Sequence, residues 1–114
     1  MTIDEFIEAN NIAIFVEADL KNKRFFIRKM ERELEAYDLF KQLILYRNTD
    51  SLLESITGRL MPKLWSQGTT HCTLYQPNDR KIIALFYDTN MDEIENYHYA
   101  EELDSQIKEL FATD

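Results

Sequence analysis

The chain is short of what most recognisable chemistries need. Its 114 residues include two glycines, two prolines and one cysteine. With only Gly58 and Gly68, it has no loop to cradle a phosphate. It carries no GxGxxG, no GxxxxGK followed by Ser or Thr, no GxSxG and no HExxH. The single cysteine, Cys72, excludes a disulfide within the chain and favours a reducing compartment. The N-terminus, MTIDEFIEANN, has neither the basic nor the apolar region of a signal peptide. No apolar run approaches the roughly 20 residues that span a bilayer. A cytoplasmic location is therefore expected. Positive charge is scarce as well: 13 Lys and Arg face 21 Asp and Glu, a net charge of −8. That balance argues against direct nucleic-acid binding, which needs clustered cations, and against anionic membranes.

What is present suits one packed domain over residues 1–114, 45% hydrophobic and 30% charged. The longest unbroken apolar run is Ile82–Tyr87, within KIIALFYD, and reads as a strand covered on both faces. Directly after it, residues 88–104 hold seven carboxylates and no Lys or Arg.

Taken in order, Thr2 to Asn11 reads as a short helix, with Thr2 and Glu5 spaced as a capping box. Ile12–Ala18 and Phe25–Met30 read as a hairpin around the turn DLKNKR, with Asn22 as its left-handed residue. Six of the twelve residues from Lys21 to Arg32 are basic, the one cationic patch. Glu31–Arg47 has helical spacing, although residues 43–46 suit helix or strand. Asp50–Gln67 reads as a further helix on the stripe Leu52, Leu53, Ile56, Leu60 and Leu64, capped by Asp50 or Ser51 and kinked near Gly58 and Pro62. Thr69–Gln76 and Lys81–Asp88 form a second hairpin, with 82–87 central in the sheet and 25–30 at an edge. Thr89-Asn90 caps a last helix, which begins near Asp92 or near Tyr99. Its apolar positions are Ile94, Tyr97, Ala100, Leu103, Ile107, Leu110 and Phe111. The expected class is α+β: an antiparallel sheet of about four strands, two hairpins packed with helices, in the order α-ββ-αα-ββ-α.

The Ile12–Met30 hairpin, the 50–67 helix, the KIIALFYD strand and the final helix together resemble the roadblock/dynein-light-chain and related profilin-like domains. The resemblance covers most of the chain and rests on element order. It implies a dimer that scaffolds or regulates a small GTPase or similar switch protein. Roadblock domains also have a third strand in the second half and one long helix after the first two strands. The Glu31–Arg47 segment departs from that pattern.

No catalytic residue emerges. His71 and Cys72 are adjacent, and neighbours on a strand point to opposite faces. Cys72 shares a face with Thr70 and Leu74 as a small buried hydrophobe, while His71, with Thr73 and Tyr75, is taken to face outward. His98 lies among carboxylates, yet one Cys and two distant His make a poor metal site, and the acidic spacing is not that of an EF-hand. No cofactor or metal is implied. The expected function is a small acidic regulator or inhibitor that binds a protein partner of basic character, an immunity-type factor or nucleic-acid mimic. Asp88, Asp92, Glu93, Glu95, Tyr97, Tyr99, Glu101 and Glu102 are the candidate contact residues, with Trp65 a further one. The roadblock-type homodimeric scaffold is the alternative, and an enzyme with an unrecognised site the second.

Overall fold

The computed structural model describes residues 1–112. Its first element, α1 (Ile3–Ala9), starts at the expected capping box: the Glu5 amide donates to Thr2 Oγ1 and the Thr2 amide to Glu5 Oε1, both at 3.1 Å. Phe6 and Ile7 point into the core. Asn11, with φ of 53°, reverses the chain into β1 (Ile14–Asp19). A tight turn leads to β2 (Arg24–Lys29). The left-handed residue of that turn is Lys23, not Asn22. Asn22 instead donates from its backbone and its side chain to the Asp19 carboxylate, at 3.1 and 2.7 Å, which holds it inside the turn.

The sequence pattern fails next, over 31–36. There the chain is not helical but crosses the sheet as a strap. The Glu35 amide donates to Asp88 Oδ2 (2.8 Å) and the Ala36 amide to Thr70 Oγ1 (2.8 Å), bonds from residues far along the chain that outweigh local helix propensity. Helix begins only at α2 (Tyr37–Phe40) and widens into a π-helical turn at Lys41–Leu45. Residues 43–46 are thus not strand. The next helix, α3 (Thr49–Ile56), is capped by Asn48, whose Oδ1 accepts from the Ser51 amide at 2.9 Å; neither Asp50 nor Ser51 is the cap.

α3 stops far short of Gln67. Gly58, with φ of +75°, turns the chain, and Lys63–Gln67 is a strand, β3. Leu60, counted in the helical stripe, is 93% exposed. β4 (Thr70–Asn78) and β5 (Lys81–Asp88) complete the meander, and α4 (Glu93–Leu110) closes the chain. Asp92, rather than Thr89-Asn90, caps α4 in a reciprocal pair with Glu95 (2.8 and 3.2 Å).

The class is α+β as expected, with five strands and four helices among the described residues. All five strands pair antiparallel in the order β2-β1-β5-β4-β3, so β5 is central and β2 and β3 are the edges. Each face of the sheet is covered. One carries Ile14, Val16, Ala18, Cys72, Leu74, Ile82, Ala84 and Phe86 against α2, the π turn and α3. The other carries Phe15, Tyr75, Ile83, Leu85 and Tyr87 against α1 and α4. This is why KIIALFYD has no polar alternation. It also corrects the outward placing of His71, which is 4% exposed because its face is roofed as well.

Candidate interaction surfaces

Among the described residues, no group of three or more His, Cys, Asp and Glu could hold a metal ion. Cys72 is fully buried, and burial pushes its thiol well above the ordinary 9.0, which leaves it protonated and unreactive. His71 is the most chemically suggestive residue. Ser66 Oγ lies 2.7 Å from its Nδ1, and its Nε2 lies 3.3 Å from the Thr89 carbonyl. With Nε2–H donating to that carbonyl, Nδ1 accepts from the serine. Ser66, however, sits exposed on edge strand β3. Two clefts of about 380 and 460 Å³ are lined by residues 29–34 with Ile14 and Tyr37, and by residues 35–38 with Lys41, Gln67 and Gly68. Neither includes Ser66, His71, His98 or Cys72. The Ser66–His71 bond therefore acts as a cross-strand clamp of β3 onto β4, where the two residues are directly paired.

The acidic segment divides into residues that hold the fold and residues that face solvent. Asp88 accepts from Thr70 Oγ1 and from the Glu35 amide, so its carboxylate fastens the strap. Asp92 and Glu95 form the α4 cap. Tyr99 packs edge-on against Tyr87, and its hydroxyl donates to the Asn10 carbonyl at 3.2 Å, joining α4 to α1. Behind it, the Tyr87 hydroxyl donates to buried Asn96 Oδ1 at 2.7 Å and that of Tyr75 to the Ala100 carbonyl at 3.0 Å. Glu93, Tyr97, Glu101 and Glu102 are exposed. Ile94 and Tyr97, counted with the apolar positions of the helix, are 71% and 44% exposed. With His98 and Glu101, which lie 3.6 Å apart, they form the outer side of α4: two apolar groups within a ring of carboxylates. A helical wheel sets Ile94 more than a quarter turn from Ala100, Leu103 and Ile107, so its spacing alone separates it from the core stripe.

The cationic patch also divides. Arg28 reaches Asp4 at 2.7 Å, Arg32 reaches Glu8 at 3.4 Å, and Lys23 reaches Asp50 at 3.1 Å. Lys29 lies over the Tyr37 ring at 4.6 Å and Arg24 over Phe26 at 5.5 Å. At the other edge, Trp65 is partly buried in the core, with Lys63 over its ring at 5.3 Å.

Among solved structures, the chain is similar to MglB of Myxococcus xanthus, with a TM-score of 0.54 at 8% sequence identity, over 96% of this chain and 91% of that one. At that identity the likeness shows the fold alone. No protein-family model matches the chain, and no curated protein does. No helix of the described residues is long and apolar enough to cross a membrane.

Proposed function

We propose that the chain is a non-catalytic, protein-binding domain of the roadblock or profilin-like kind, working as a homodimeric scaffold for a small GTPase or similar switch protein. The observation that carries this reading is β3. The resemblance in the sequence implied a third strand in the second half, where only two were legible, and Lys63–Gln67 supplies it. The structural likeness to MglB supports the same architecture over nearly the whole length of both chains. The strap and the split helices of residues 31–56, where roadblock domains have one long helix, are the departure. Sedimentation from micromolar to millimolar concentration tests the first half of the proposal, with a concentration-dependent dimer expected. A strict monomer throughout sinks the scaffold reading. Binding of a purified small GTPase, loaded in turn with GDP and a non-hydrolysable GTP analogue, tests the second half.

The outer side of α4 favours a second reading, an acidic surface that docks a basic protein. Ile94 and Tyr97 would supply the desolvated centre and Glu93, Glu101 and Glu102 the steering. Reversing the charge of those three glutamates tests it, since none of them caps the helix. A complex whose formation is insensitive to this change and to salt does not use α4.

A further inference from the structure

We infer that β2 is a docking edge for an extended acidic peptide, which adds to the sheet as a sixth, antiparallel strand. This goes beyond the scaffold reading and does not depend on it.

β2 ends the sheet, so alternate residues along it turn their backbone N–H and C=O groups away from β1. An edge of this kind is normally blunted by charge, by shortness or by a covering element. Here the strand has six residues, its side chains are exposed or half-exposed throughout, and the guard it carries is charge, in Arg24, Arg28 and Lys29. At its middle are two large apolar groups, Phe26 at 48% exposure and Ile27 at 41%, one on each face. An added strand would cover both at once. Arg24 and Arg28 flank Phe26 on its own face, and Lys29 follows Ile27 on the other. The edge therefore reads cation, three apolar residues, two cations.

Charge selects the occupant. A second copy pairing β2 against β2 about a two-fold axis at Phe26 would set Arg24 directly opposite Arg28, twice. Centred instead on Ile27, it would bring the two Arg28 side chains diagonally together. Like charges across a ladder are destabilising, so self-pairing is opposed. A strand with carboxylates opposite Arg24, Arg28 and Lys29, and β-branched residues between, meets every position. Main-chain bonds would give affinity, and the alternate side chains specificity. The Arg28–Asp4 ion pair is solvent-exposed on both sides, and such pairs contribute little, so a ligand carboxylate can displace or share it.

The probe is a fluorescein-labelled peptide, Ser-Glu-Glu-Val-Val-Val-Glu-Ser, titrated against the full chain by anisotropy, with amide shifts followed by NMR. Saturable binding is expected, with the largest shifts at 24–29 and slowed amide exchange at alternate residues of β2. The Arg24→Gln/Arg28→Gln variant, which sets no like charge opposite Asp19 or beside Asp4, should bind about tenfold more weakly or worse. Its circular dichroism and melting should match the parent. Met30 bonds inward to Ala13, so Phe25, Ile27 and Lys29 are the β2 residues that turn outward. N-methylation of the first valine, which lies opposite Ile27 and keeps the peptide's charge intact, should weaken binding to a similar degree. Four results overturn the inference: equal binding of the peptide with Lys for Glu, equal binding by the variant, shifts centred on another element, or no binding at millimolar peptide. Competition by phosphatidylserine vesicles or oligouridylate as effective as by the peptide also overturns it, because the patch would then recognise anions in general. A sheet edge that pairs with itself in sedimentation, with loss of that pairing in the variant, would show the charge argument to be wrong.

Discussion

Tyr87 and Asn96 show how single residues tie the acidic helix to the sheet. Both are almost fully buried, and the tyrosine hydroxyl donates to the amide oxygen at 2.7 Å. Tyr87→Phe removes the donor and strands the acceptor. The expected cost is about 1–3 kcal/mol, read as a lower midpoint in urea with unchanged slope. Replacing both partners with apolar residues of similar shape should recover most of that loss. The buried hydroxyls and the thiol also set the alkaline limit. Burial raises Cys72 above its ordinary 9.0 and Tyr75 and Tyr87 above their ordinary 10.0. Each is neutral in the folded chain at a pH where the unfolded chain has already lost the proton. The unfolded state then binds fewer protons, so stability falls as pH rises. The contribution of these three groups should be level below about pH 8 and then fall through pH 9–11, each group adding about 1.4 kcal/mol per pH unit once its unfolded form is ionised. Tyr75→Phe should lower that slope, while the neutral plateau falls by the worth of its lost bond to Ala100. A melting temperature level to pH 11 would show that these groups are not desolvated.

At the scale of elements, local signals were legible and distant ones were not. α1, the β1–β2 hairpin, the bounds of KIIALFYD and the core face of α4 follow from capping, turn composition and apolar spacing within a few residues. The 31–36 strap could not be read because its partners, Thr70 and Asp88, lie more than 30 residues away. β3 was hidden for the opposite reason, a local pattern that runs on too far. Leu60 and Leu64 prolong the helical stripe of Leu52 and Ile56 past Gly58 and Pro62. The backbone obeys the two punctuating residues instead. A Cβ at Gly58 would meet nothing within 4 Å, so the site is roomy, and only its φ of +75° demands glycine. Gly58→Ala should therefore cost about 1–2 kcal/mol through backbone strain alone. Gly58→Asn, which tolerates that conformation better, should cost less. Equal stability of the two variants would mean that the turn relaxes. The candidate site was legible only in its composition: seven carboxylates marked the segment, yet their division between capping, strap-fastening and solvent depends on tertiary neighbours.

For the molecule as a whole, the central question is whether α4 is an appendage or a wall. If it were an arm laid on a finished domain, a partner could peel it away and the outer acidic face would be a secondary matter. The sheet argues otherwise. β5 joins the first hairpin to the β3–β4–β5 meander, and its two faces must both be roofed. α1 covers only part of the second face with Phe6 and Ile7, and the remainder rests on Ala100, Leu103, Ile107 and Phe111. Burying a Leu, Ile or Phe side chain contributes about 1.5–3 kcal/mol, so three of them rival the whole stability of about 5–15 kcal/mol expected of a domain. A partner that docks on α4 would then read its outer side with the helix in place. A chain ending at Thr89 should accordingly lose its cooperative unfolding transition, expose apolar surface to a fluorescent dye such as ANS and associate non-specifically, since Phe15, Tyr75, Ile83, Leu85 and Tyr87 would lose their cover. A truncated chain with a sharp transition and dispersed NMR signals would reverse the conclusion and make α4 a detachable binding arm.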